Sequence, residues 1–136
     1  MQTSIIVAFG AAALIASTAF AQDSDQTPPT KAELALAKRL EGRVAGDPVS
    51  CITAYPTTRA QVYDRVAIVW EHGDVLYVNR PANGAHALND RDIMVQRRTT
   101  SQLCSVDTIE MRDNIGFFTG TVFLDQFVPY YRSDAG

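Results

Sequence analysis

The chain has 136 residues, with 12 lysine and arginine residues against 15 aspartate and glutamate residues, and its formal net charge is -3 at pH 7. The basic residues are scattered, and the only adjacent basic pairs are Lys38-Arg39 and Arg97-Arg98. Such pairs are typical of a solvated face, whereas nucleic-acid binding requires a basic patch or stripe. The composition therefore argues against a nucleic-acid partner.

The first 21 residues have the pattern of a cleavable signal peptide. They contain no charged side chain, are apolar from Ile5 to Ala16, and end in the small-x-small sequence Ala19-Phe20-Ala21. The alternative is an uncleaved anchor, but the apolar run is shorter than the roughly 20 residues that span a bilayer. Cleavage between Ala21 and Gln22 leaves no cysteine for lipid attachment. We therefore expect an exported protein, periplasmic or secreted, without a stable membrane anchor.

Two regions follow the predicted cleavage site. Residues 22–30 are polar, include Pro28 and Pro29, and are predicted to be a flexible leader. Residues 31–136 have the length of a single domain with one modest core. We interpret this region as one β-rich domain.

The two cysteines, Cys51 and Cys104, both lie in the predicted exported region. Outside the reducing cytoplasm, pairing into a disulfide is the expectation. The alternatives are two buried thiols or half of a metal site, and the latter is disfavoured because the chain has two histidines and no CxxC motif.

One helix is predicted before the strands begin. Thr30 and Glu33 have the spacing of a capping box, leucines recur at helical spacing, and Gly42 follows as a stop signal. This pattern predicts a helix over residues 31–41. Its narrow apolar stripe favours a helix that covers one end of a sheet rather than one that binds a partner.

The sequence after Pro48 alternates in short runs rich in β-branched and aromatic residues, which is typical of β-strands. His72-Gly73-Asp74, Asn83-Gly84 and residues 113–116 are predicted turns, and Pro129 indicates an edge strand or a strand end. The fold class is therefore mainly β, a small antiparallel meander or half-closed barrel of about six strands with one N-terminal helix. The predicted strands cover residues 62–71, 75–78, 93–97, 103–106, 108–112 and 117–124. They are too short for an outer-membrane barrel.

The strongest catalytic hypothesis pairs His72 or His86 with a nearby carboxylate, because imidazole titrates near neutral pH and a carboxylate fixes its tautomer. Asp74, Asp90 and Asp92 are the available carboxylates. The competing interpretation, exposed histidines in turns, is favoured, and no serine lies in a nucleophile-elbow pattern. We therefore assign no catalytic residue, with His72, Asp74 and His86 as the candidates if the chain is an enzyme.

Two further patterns have simple structural explanations. Residues 89–92, Asn-Asp-Arg-Asp, resemble part of a calcium loop but lack its glycine and distal glutamate, so a solvated turn is favoured. No metal or cofactor is predicted. The aromatic residues either form the core or line a pocket for an apolar ligand, and the core is favoured. They are Trp70, Tyr77, Phe117, Phe118, Phe123, Phe127, Tyr130 and Tyr131.

Four segments, residues 40–52, 77–81, 101–104 and 127–130, resemble a family of small exported alphaproteobacterial proteins of unknown function. The resemblance covers most of residues 31–136, but not residues 53–65. It implies an exported single domain whose two cysteines occupy the positions of that family's pair. It implies no activity, ligand or catalytic residue.

Three hypotheses of function follow. The favoured one is a non-enzymatic exported domain that acts by binding, with another cell-envelope protein as the partner. The second is a small hydrolase that uses a His/Asp pair, and the third is a carrier of a small apolar ligand held inside the sheet.

Overall fold

The computed structural model describes residues 27–54 and 58–134. The predicted signal peptide, its cleavage site at Ala21 and Gln22, and most of the leader lie outside these residues. The described part is mainly β, with one α-helix and antiparallel sheets, as the sequence predicted. The elements are α1 (Lys31–Arg39), β1 (Arg43–Ala45), β2 (Cys51–Thr53), β3 (Arg59–Tyr63), β4 (Ala67–His72), β5 (Val75–Asn79), a 3-10 turn (Ala85–Ala87), β6 (Ile93–Val95), β7 (Gln102–Cys104), β8 (Thr108–Arg112), β9 (Phe118–Phe123) and β10 (Phe127–Arg132).

The strands form three antiparallel sheets. The largest has the order β1-β10-β5-β4-β3, the smallest pairs β2 with β7, and the third has the order β6-β8-β9. None of the sheets in the described part closes into a barrel. The described residues contain ten strands rather than about six. Three-residue strands such as β1 and β2 are too short to show alternation, the predicted strand over residues 62–71 is divided in two, and β10 was not among the predicted strands.

The predicted strand over residues 62–71 is in fact two strands. A turn at residues 64–66 separates β3 from β4, and the amide of Val66 donates to the carbonyl of Tyr63 at 2.9 Å. The four residues 67–70 are all buried, so both faces of β4 are covered. Ile68 and Trp70 share one face, whereas Val66 lies in the turn.

The five-stranded sheet is the central layer, with a separate core on each face. One core joins it to the two smaller sheets, and there Trp70 and Phe127 meet edge to face with ring centroids 5.5 Å apart. The other core lies beneath α1, where Leu36 packs with Tyr63 and Leu76. Consecutive residues of β4 alternate between these two cores because successive side chains of a strand point to opposite faces.

The helix forms where it was predicted and ends earlier than residue 41. The Thr30 hydroxyl accepts a hydrogen bond from the amide of Glu33 at 3.2 Å, which caps the first turn. The Glu33 carboxylate pairs with Arg80 on the neighbouring chain segment instead of returning to the cap. A second ion pair joins Arg39 to Glu71 of β4 at 2.8 Å. The helix therefore covers one face of the central sheet.

Cys51 and Cys104 form a disulfide, which confirms the predicted pairing. They lie directly opposite each other in the β2–β7 pair, with their Cα atoms 4.0 Å apart and a sequence separation of 53. Directly opposed residues of an antiparallel pair come this close at non-hydrogen-bonded positions. The disulfide thus fastens a sheet of two three-residue strands.

Pro129 lies neither in an edge strand nor at a strand end, contrary to the sequence prediction. Its strand, β10, lies between β1 and β5. Pairing with β1 ends at Ala45, and beyond it the amide of Gly46 donates to the carbonyl of Pro129 at 2.7 Å. The missing N–H of proline therefore falls where the regular pairing with β1 stops.

Candidate functional site

His72 and Asp74 lie at the β4–β5 turn, and both are exposed. The Asp74 carboxylate pairs with Arg132 at 3.3 Å, and the backbone carbonyl of Asp74 accepts a hydrogen bond from the Arg43 side chain at 2.6 Å. These contacts join the turn to β1 and β10 of the central sheet. Asp74 is therefore engaged with arginines rather than with a histidine.

His86 lies on a different element, the 3-10 turn, so the structure separates it from the β4–β5 turn that carries His72. The Asp92 carboxylate accepts a hydrogen bond from the Thr119 hydroxyl at 2.7 Å. Across residues 27–54 and 58–134, neither histidine forms an ion pair or a side-chain hydrogen bond with a carboxylate. No His/Asp pair is assembled in this part of the chain.

Residues 89–92 form the solvated turn that the sequence favoured. The Asn89 side chain accepts a hydrogen bond from the amide of Arg91 at 3.0 Å, and the amide of Asp92 donates to the carbonyl of Asn89 at 3.1 Å. No cluster of three or more metal-ligating side chains occurs in the described residues. The side chain and carbonyl of Asn89, rather than the two aspartate carboxylates, stabilise this turn.

His86 lines an open cleft between the first turns of α1, the β3–β4 turn and residues 86–91. The cleft has a volume of about 840 Å³. Its apolar lining includes the half-buried Val62 and Val66, together with Tyr63 and Leu88, which are buried and present little surface. Its rim is charged and carries residues of both signs.

Two hydrogen bonds fasten the walls of this cleft to each other. The amide of Arg65 donates to the carbonyl of Leu88 at 3.1 Å, and the Asp64 carboxylate accepts from the amide of Asp90 at 2.6 Å. Arg65 has φ = +59° and is the only non-glycine residue with positive φ in the described part. A side chain in this region costs about 1 kcal/mol, which glycine avoids. The cleft is therefore preformed around an arginine held in an unfavourable backbone conformation.

Tyr63 lies in the wall of the cleft and in the core beneath α1. Burial raises the pKa of its hydroxyl above the usual value, and the nearby Arg39 guanidinium offsets part of that rise. The phenol therefore stays protonated at neutral pH.

The second candidate site is the outer face of the three-stranded sheet, opposite the face that packs in the core. Directly paired residues share a face, so Ile93, Arg112 and Phe118 form one row across β6, β8 and β9. We define the outer face by its exposed or half-exposed apolar residues together with those of the β8–β9 hairpin. They are Ile93, Val95, Ile115, Phe117, Phe118 and Phe123.

The hairpin turn holds its apolar side chains out of the core. The Asp113 carboxylate accepts hydrogen bonds from the amides of Ile115 at 3.1 Å and Phe117 at 2.8 Å. The side chains of Ile115 and Phe117 are 73% and 67% exposed, and Phe118 is 57% exposed. The aromatic residues were expected to form the core or to line a pocket. Trp70 and Phe127 do lie in the core, but Phe117 and Phe118 are exposed.

Charged residues lie among the apolar side chains of the outer face. Glu110 is flanked by Arg97 at 3.4 Å and by Arg112 at 3.5 Å. These distances define ion pairs, but Glu110 Oε2 is buried and accepts no hydrogen bond within the described residues. The Arg97 side chain is 80% exposed, so most of its guanidinium surface faces solvent. The three groups carry one net positive charge.

Sequence reasoning did not single out the outer face. The available signal was Phe117-Phe118, since two successive residues of a strand cannot both face the core. That signal was ambiguous because the residues directly follow a turn.

Comparison with family models, with curated proteins and with solved structures found no match for this chain. None of its helices in residues 27–54 and 58–134 has the length and apolar character needed to cross a membrane.

Proposed function

We propose that this protein is an exported, non-enzymatic domain that binds another cell-envelope protein through the outer face. Export is supported by the signal-peptide pattern of residues 1–21 and is compatible with the Cys51–Cys104 disulfide. The resemblance to small exported alphaproteobacterial proteins supports the same location. The proposal covers a location either in the periplasm or in the extracellular medium.

The observation that carries the proposal is the concentration of large exposed apolar side chains on one sheet face and its hairpin. Isolated exposed apolar residues need no explanation, but a contiguous group is typical of a protein-interaction surface. Phenylalanine is also enriched in the buried centres of such surfaces. Here Phe118 and Ile93 lie in one cross-strand row, with Phe117 at the adjoining turn.

The charges of the outer face indicate the chemistry of the partner. Arg97 is mostly exposed and contacts Glu110 only at 3.4 Å, so it remains accessible to a second carboxylate. Charge-assisted bonds between arginine and carboxylate are among the stronger polar contacts at interfaces. The proposed partner surface therefore has apolar side chains bordered by an aspartate or glutamate that pairs with Arg97.

Photo-crosslinking in producing cells tests this proposal. Phe118→p-benzoylphenylalanine places the probe on the outer face, and Leu34→p-benzoylphenylalanine on α1 is the matched control, because both native side chains are 57% exposed. We expect a discrete heteromeric adduct from position 118 and none from position 34. Adding Arg97→Glu should suppress the adduct, because it places like charges at the interface.

Three results would contradict the proposal. They are equal labelling from both positions, an adduct that is insensitive to Arg97→Glu, and an adduct with twice the mass of the chain. The last result would make a second copy, rather than another envelope protein, the occupant of the outer face.

A further inference from the structure

The cleft between α1, the β3–β4 turn and residues 86–91 is independent of the outer face. Its volume of about 840 Å³ lies within the range of small-molecule sites. The half-buried Val62 and Val66 present apolar surface to the cleft, and the buried Tyr63 and Leu88, 5% and 2% exposed, add little more. This surface is suited to the apolar body of a ligand.

The rim of the cleft has an excess of uncommitted positive charge. Lys31, Arg65 and Arg91 line it, and none of them forms an ion pair within the described residues. The acidic residues of the rim are Glu33, Asp64 and Asp90.

One of these three acidic groups is neutralised by an ion pair. Glu33 pairs with Arg80 at 3.0 Å, which cancels its charge, whereas Asp64 accepts only the uncharged amide of Asp90 at 2.6 Å and keeps its charge. Three cations therefore face two carboxylates, Asp64 and Asp90.

The backbone at Arg65 gives a second indication of a binding role. Glycine would adopt φ = +59° without steric cost, yet the position carries a long cationic side chain. Unfavourable backbone conformations held by surrounding hydrogen bonds are concentrated at functional sites. Here the hydrogen bond from the Arg65 amide to Leu88 holds the conformation.

We propose that the cleft binds a small monocarboxylate with an apolar body. Arg65 and Arg91 engage the carboxylate, and the half-buried Val62 and Val66 contact the apolar part. The proposal goes beyond the outer-face interaction and does not depend on it. A free carboxylic acid and a carboxylate carried on a larger lipid share this chemistry.

Octanoate is the probe for the isolated protein, with 1-octanol as the neutral control of equal chain length. Titration followed by amide NMR shifts should show saturable changes at Arg65, Leu88 and Asp90 with octanoate. Octanol should bind about tenfold more weakly, because it lacks the charge that the arginines recognise. Binding of octanoate in solution would identify a free acid as a sufficient ligand, whereas binding only when the acid is presented in a lipid vesicle would assign the lipid-borne form.

Arg65→Gly is the informative variant because it removes the cation while relieving the backbone. Its thermal midpoint should be at least that of the native chain, and its affinity for octanoate should fall about tenfold. Arg91→Gln should also weaken binding, whereas Arg97→Gln on the outer face should leave it unchanged. The proposal would be overturned if Arg65→Gly bound octanoate normally, if octanol bound equally well, or if neither form of the acid shifted the cleft amides.

Discussion

The two faces of the central sheet are covered in different ways. On one face, α1 contributes a single fully buried side chain, Leu36, and is joined to the sheet by ion pairs at its rim. On the other face, two small sheets share an apolar core that includes Trp70 and Phe127, and a disulfide closes the smaller sheet. We refer to these as the helix side and the disulfide side.

The difference reflects how much each covering element stabilises itself. A helix satisfies its own backbone hydrogen bonds, so one buried leucine and a few surface contacts hold it in place. An isolated two-stranded sheet is marginal in water, and β2 and β7 have only three residues each. That sheet therefore depends on burial of Ile52 and Leu103 and on its covalent link. Each prediction below weakens one side and leaves the other as the reference.

The largest expected effect is on the disulfide side. Replacing both cysteines, Cys51→Ser with Cys104→Ser, should lower the free energy of unfolding by about 4 kcal/mol, because the bond closes a loop of more than fifty residues in the unfolded chain. Denaturant titration at 25 °C measures the loss. Reductant should produce the same loss in the native chain and none in the double variant. A loss under about 1 kcal/mol would show that packing alone holds this sheet.

On the helix side, Leu36→Ala should cost about 3 kcal/mol, because the side chain is only 1% exposed and its removal leaves a cavity against Tyr63 and Leu76. Leu34→Ala is the matched control on the same helix, since Leu34 is 57% exposed, and should change stability by about 0.5 kcal/mol or less. Urea unfolding followed by circular dichroism gives both values. Equal effects of the two substitutions would mean that α1 is not held through Leu36.

The two sides also differed in how far the sequence predicted them. Thr30 and Gly42 bracket the helix locally, and the disulfide followed from the cysteine count and the predicted compartment. On the disulfide side, the predicted turn at residues 113–116 does connect β8 and β9. By contrast, β2 and β7 are short and pair across a long sequence separation, so local alternation could not reveal their pairing. The turn at Arg65 was missed because an arginine with positive φ has no sequence signature. Both candidate sites were missed because each is assembled from segments that are distant in sequence.

A smaller effect is expected where the three-stranded sheet connects to the central sheet. Asn79 on β5 is fully buried. Its side-chain Nδ2 donates to the backbone carbonyl of Asp125 at 2.5 Å, and its Oδ1 accepts from the backbone amide of Asp125 at 3.1 Å. Asn79→Ala should cost about 2 kcal/mol, because both backbone groups of Asp125 lose their partner. The exposed Asn114→Ala in the β8–β9 turn is the control. Hydrogen exchange at residues 124–127 should accelerate in Asn79→Ala and stay unchanged in the control.

The smallest expected effect is a loss of stability on the helix side, but not on the disulfide side, at alkaline pH. Burial raises the pKa of Tyr63 on the helix side, so the folded state holds the proton more tightly than the unfolded chain, whose tyrosines titrate near pH 10. The stabilising contribution is complete below about pH 10 and is lost as the pH rises through the folded-state pKa. Hydrogen exchange referenced to neutral pH should therefore show the helix side opening before the disulfide side under alkaline conditions. Tyr63→Phe should abolish that order, and its persistence in the variant would assign the alkaline sensitivity to another group.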